Sequence, residues 1–178
     1  MEIRLFDTIE YLASGSVQQQ HAYTILLKRD IMRLLAPYNP ILAGTFPLDI
    51  TVDDSDLDIL CEVYDLQEFA TWATHNFGME EGFSVCSLPN QEPAAVVVVF
   101  FLDGIQLELF AQGRPTKEQH AYRHMCIEYK LLQLLGADFR KKIIALKAAG
   151  IKTEPAFAQL LQIDGDPYMG LLDYKIEI

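Results

Sequence analysis

Cysteine is scarce: the 178 residues hold three, Cys61, Cys86 and Cys126, with no short Cys-x-x-Cys spacing. An odd number so spaced argues against a disulfide framework and against a structural zinc knot, and reduced thiols in a cytoplasmic protein are expected. Long apolar runs are missing too. The longest, AAVVVVFFL from Ala94 to Leu102, has nine residues, against the roughly 20 a membrane-spanning helix requires. The N-terminal MEIRLFDTIEYLAS has neither a basic start nor a continuous apolar stretch, so no export signal and no membrane partner are expected. Linkers and low-complexity segments are absent. Positive charge is outnumbered, 14 Lys and Arg against 25 Asp and Glu for a net charge of −11. That balance argues against binding long DNA, whose affinity comes from cationic contacts to phosphate.

What is present describes a folded chain: 51% hydrophobic and 22% charged residues, as globular domains have. The charge is unevenly spread. From Arg114 to Lys152 nine basic residues meet three acids, so this segment carries +6 and the remainder −17. Helical spacing is expected over 3–12, 17–36, 65–77, 116–135, 137–149 and 153–163, with Asp65 and Thr153 as N-caps and Gly78 closing the third. PILAGT is a short strand ending at a glycine, FSVCSL is another, and AVVVVFFL-DG-IQLELFA is a hairpin turned at Asp103-Gly104, a pair suited to positive φ. The period-2 pattern of SDLDILCEV puts Leu57, Ile59 and Cys61 on one face and Asp56, Asp58 and Leu60 on the other.

DDSDLDILCE, residues 53–62, crowds five acids into ten positions. Strands are depleted in Asp, and two carboxylates a few ångströms apart repel by about 4 kcal/mol at an effective dielectric near 20. Asp56 and Asp58 lie about 6.5–7 Å apart along one strand face, a spacing suited to sharing a hard divalent cation. Glu108, isolated between Leu107 and Leu109 in the hairpin, completes the cluster if its strand is adjacent. A bound cation reverses the local electrostatics and offsets the repulsion. His120, His124 and Glu128 recur every fourth residue and share one helix face. Three readings of them stay open: a zinc pair needing further ligands, a polar stripe facing a cleft or making a carboxylate–imidazole hydrogen bond, or plain surface. Asp164 and Asp166 in IDGDPY read as turn residues.

AGT followed by DLDI, then LEL on a later strand, resembles the nucleotidyltransferase superfamily with the DNA polymerase β-like fold. By that resemblance Gly44 and Thr45 form the turn that approaches nucleotide phosphates, Asp56 and Asp58 are metal ligands, and Glu108 is the third catalytic carboxylate. AGTFPLDI with SDLDI, RPTKEQHAYRHM, KTEPAFAQLL and GDPY together look more closely like a bacterial family described as a domain of unknown function (number 4269). The implied fold is α/β (α+β): a mixed, twisted sheet of about five strands flanked by helices over 1–112, and an all-helical part over 113–178 packed on it. The implied activity is transfer of a nucleoside monophosphate from a nucleoside triphosphate, with Mg²⁺ or Mn²⁺, to a small-molecule, RNA-end or protein hydroxyl. Such a site needs cations facing the triphosphate, and Arg114, Arg123 and Lys130 are the candidates. The alternative is a nucleotide-binding or antitoxin-like partner-binding protein of the same fold without turnover.

Overall fold

The computed structural model describes residues 3–175. The alternation read at Leu57 to Cys61 organises it, because it gives one strand two buried faces with different tasks. Five strands form one mixed sheet: β1 (Ile41–Ala43), β2 (Leu57–Glu62), β3 (Glu81–Leu88), β4 (Ala95–Leu102) and β5 (Ile105–Gln112), in the order β1-β2-β5-β4-β3. β2 and β5 are parallel, and the other neighbours are antiparallel. The β4–β5 hairpin turns at Asp103 and Gly104, with φ of 47° and 85°, the left-handed pair such a turn demands.

On one sheet face Leu57, Ile59 and Cys61 join Leu107, Leu109, Val98 and Phe100 in a core. It is closed by α1 (Val17–Lys28) through Ile25 and Leu26, and by α4 (Leu66–Phe77) through Phe69, Ala73 and Phe77. Asp65 caps α4 by accepting the Glu68 N–H at 2.9 Å. The other face carries Ile41, Ala43 and Leu60, which pack against α5 (His120–Ala148), α6 (Thr153–Leu161) and α7 (Pro167–Leu172). Period 2 puts Asp58 and Glu108 on this second face, and they are only half-buried. Arg140 ties the helices down further, donating to the carbonyls of Leu48 and, at 3.1 Å, Asp49.

Several expectations need correction. The first helix is two 3-10 turns, Arg4–Asp7 and Glu10–Ser14. The 17–36 helix breaks at Asp30, whose φ of 53° is left-handed, a state Asp tolerates through its short polar side chain. The four-residue α2 (Ile31–Leu34) follows, and a short α3 (Thr45–Leu48) leaves the AGT turn. The two central C-terminal helices meet at Gly136 (φ 76°), which kinks α5, and the first starts at His120 after a 3-10 turn. Lys152, not Thr153, is the N-cap of α6. Asp166 heads an unforeseen α7, accepting the N–H groups of Tyr168 and Met169, so a residue read as turn chemistry is a helix cap. Among the described residues no helix is long and apolar enough to cross a membrane.

Because the sheet's second face is covered by the C-terminal helices, their loss should unfold the whole. Phe157 is fully buried on α6 and lies 5.7 Å, ring to ring, from Phe139. Phe157→Ala should cost about 3–5 kcal/mol, read in urea as one shifted transition followed alike by tryptophan fluorescence and circular dichroism.

Candidate active site

Strand register builds the acidic cluster. In the parallel β2–β5 pair Asp58 lies opposite Glu108, and in the antiparallel β1–β2 pair it lies opposite Ala43. Asp56, just before β2, accepts a 3.5 Å hydrogen bond from Gln106 Nε2, two residues before Glu108 on the same face. One carboxylate oxygen each from Asp56, Asp58 and Glu108 lies within 4.8 Å of the others. The three acids expected to converge do so.

Gly44 makes the approach of β1 possible. Its φ is +73°, and a Cβ placed there would sit 2.1 Å from Asp58 Oδ2. Any side chain would therefore collide with the carboxylate as well as strain the backbone. Beside it Thr45 is buried, and among the described residues its Oγ1 has no hydrogen-bond partner although the residue lines the cavity.

The electrostatics are those of crowded acids. Burial, then Asp56 and Glu108, push the Asp58 carboxyl well above the usual carboxylate range. Burial and then Asp56 raise Glu108. Among the described residues no ion pair within 4.0 Å neutralises either group. Three converging, half-buried oxygens, offset only by the more distant charges of Lys147 and Lys152, suit a hard divalent cation, which takes carboxylate ligands and keeps waters on its open side.

The cluster opens on a cavity of about 880 Å³ whose walls come from both ends of the chain. Arg114 lines it and donates to the Glu92 carbonyl at 3.4 Å. Arg123 and Lys130 are exposed on α5 and lie outside the lining. Arg123 lies one turn from His120 and acts on it through its charge. Lys147 and Lys152 line the cavity. Lys147 Nζ donates to Thr153 Oγ1 at 2.7 Å. Burial lowers its pKa, while Glu128, Glu154, Asp56 and Asp58 oppose that shift.

Of the three readings of the His120 stripe, the structure selects the cleft-facing one. His120, His124 and Glu128 all line the cavity. Among the described residues they are not a converging metal set, which only the Asp56 group forms. His124 is buried, its Nε2 2.9 Å from the Tyr168 carbonyl and its Nδ1 3.6 Å from Glu154 Oε1. Sequence reasoning missed Lys147, Lys152, Glu154 and Tyr168. Lys147 and Lys152 were lost in a long basic run, and Glu154 sat in a segment read as a helix start. No spacing rule links them to acids nearly a hundred positions earlier.

Two measurements test the electrostatics. In chelator, a carboxyl whose folded pKa is raised binds more protons folded than unfolded. Stability from Asp58 and Glu108 should therefore fall as pH rises from the ordinary carboxylate range through their raised values. Asp58→Asn should flatten that slope and raise the metal-free melting temperature near neutrality. Millimolar Mg²⁺ or Mn²⁺ should raise the wild-type melting temperature by mass action, and Asp58→Asn and Gly44→Ala should both abolish that response.

Solved structures with the same fold belong to nucleotidyltransferase-type polymerases. The polymerase core of TRAMP, an RNA surveillance complex, superposes with a TM-score of 0.51 at 13% identity over 92% of this chain and 50% of its own. Cid1, described by its RNA terminal uridylyl transferase activity, gives 0.53 at 13% identity over 78% and 45%. The GLD-2/RNP-8 complex gives 0.53 at 14% over 88% and 59%. The chain thus spans about half the length of the structures it matches, and the likeness establishes the nucleotidyltransferase fold. No curated protein matches it. The model of a family described as a domain of unknown function (DUF4269) matches residues 24–174, and the chain belongs to that family.

Proposed function

We propose that the protein is a metal-dependent nucleotidyltransferase, moving a nucleoside monophosphate from a nucleoside triphosphate to a hydroxyl acceptor. The observation that carries this reading is the convergence of Asp56, Asp58 and Glu108 against the Gly44 turn, where a Cβ has no room. A purely structural sheet has no use for three converging acids on one face, none of them in an ion pair among the described residues. The RNA terminal uridylyl transferase activity of Cid1 adds support by analogy of fold.

Asp56, Asp58 and Glu108 would hold Mg²⁺ or Mn²⁺. That cation supplies neutralisation of the triphosphate and polarisation of its α-phosphoryl group. The chain's own residues do the rest. Gly44 leaves room for the Asp58 carboxylate to lie against the β1 turn, and the Thr45 hydroxyl beside it offers phosphate oxygens a donor. Arg114 and Lys152 line the same cavity and face the phosphates with positive charge. The acceptor oxygen attacks the α-phosphorus, forming a new O–P bond as the α–β bridging bond breaks and pyrophosphate leaves. Glu108, converging with Asp56 and Asp58 on one face, takes the proton of the attacking hydroxyl.

A pyrophosphate-release assay against the four nucleoside triphosphates, with pooled small acceptors and RNA, tests the reaction. Release should require Mg²⁺ or Mn²⁺ and vanish in Asp56→Asn. Arg114→Ala should weaken nucleotide binding by about 1.5–3 kcal/mol, the range for a lost charged hydrogen bond, while leaving the metal-induced melting shift in place. Nucleotide binding without pyrophosphate from any acceptor would favour a binding protein without turnover.

A further inference from the structure

Across the cavity from the carboxylate triad stands a second polar group that the transfer chemistry leaves unused. Glu128 on α5 is 3% exposed, lines the cavity, and its Oε1 has no hydrogen-bond partner among the described residues. Glu154 on α6 borders the same cavity, its Oε1 beside His124 Nδ1. Each neighbouring donor has one hydrogen engaged elsewhere, although the Lys147 charge acts on both carboxyl groups. His124 Nε2 gives its hydrogen to the Tyr168 carbonyl, and Lys147 donates to Thr153. Burial, then Glu154, push the Glu128 carboxyl well above the usual carboxylate range, so its ionised form is expensive unless a further donor arrives.

The charge of the whole cavity points the same way. Its walls carry seven carboxylates against three cations, Arg114, Lys147 and Lys152. Metal and triphosphate account for the triad and for part of the positive charge. Four acids remain beyond the triad: Asp54 and Glu92 are exposed to solvent, whereas Glu128 is buried and Glu154 half-buried. An RNA end would bring further phosphates to that wall and be repelled, whereas an ammonium group offers three donors and an opposite charge.

We propose that Glu128 and Glu154 bind the acceptor, and that it is a small hydroxyl compound bearing ammonium groups rather than an RNA end. The inference rests on the transferase reading and names its second substrate. Glu128 receives an ammonium at its unpartnered oxygen, Glu154 a second one or the other side of the same group. A neighbouring hydroxyl is thereby held toward the triad, where the O–P bond forms and pyrophosphate departs as described above.

The test uses two rings of similar shape, 2-deoxystreptamine with two amines and myo-inositol with none. Calorimetry on the full chain should show the diamine binding at least tenfold tighter than inositol. Glu128→Gln and Glu154→Gln should each weaken it tenfold or more while keeping the Mg²⁺-dependent melting response to nucleotide. With nucleotide present, pyrophosphate should form with the diamine and not with a short RNA. Equal binding of the two rings, diamine binding untouched in both variants, or pyrophosphate with RNA alone would overturn the proposal. If Mg²⁺ and nucleotide bind but the diamine does not, the acceptor inference falls and the transferase reading stands. Diamine binding without any nucleotide response would leave an amine site with no transfer, and would overturn its role as acceptor.

Discussion

Mutual repulsion among Asp56, Asp58 and Glu108 is the constraint around which the rest is arranged. The parallel β2–β5 register sets Asp58 opposite Glu108, and a slip of one residue would turn one of them into the opposite core. Holding such groups together costs stability, which shows in the raised proton affinity of Asp58 and Glu108. The hydrophobic faces supply the opposing free energy. Leu57, Ile59 and Leu107 are fully buried on the far side of the same strands, so the carboxylates cannot separate without opening the core.

The two faces divide the work. One is sealed by α1 and α4 and is wholly apolar in its centre. The other is shared between an apolar patch around Leu60 and the acids, and α5, α6 and α7 cover the patch while leaving the acids at a cavity. Coverage and access thus come from the same helices. It follows that the residues facing the acids must come from the C-terminal third, where Lys147, Lys152 and Glu154 sit.

The triad was legible because its signals are local. Period 2 fixes the faces of β2 regardless of context, Asp-Gly fixes the β4–β5 turn, and a glycine before a hydroxyl residue marks the end of β1. Gly44 shows why the motif needs glycine, since Asp58 occupies the space of a Cβ. The helical N-terminus was misread because apolar spacing there is compatible with 3-10 turns as well as with an α-helix, and packing chose the former. Arg123 and Lys130 were named because their segment is basic. Net charge, however, does not say which side of a helix faces a cavity.

By itself, then, the amino-acid order determined the strand alternation, the hairpin, the caps at Asp65 and the glycine punctuation, together with the three acids that those strands carry. Each depends on backbone geometry within a few residues. Tertiary structure alone decided which cations and carboxylates oppose the triad. Glu128 meets Glu154 and Lys147 only because α5 kinks at Gly136 and returns beside α6. No short-range rule reports such a meeting, since it follows from how apolar faces far apart in the chain share one core.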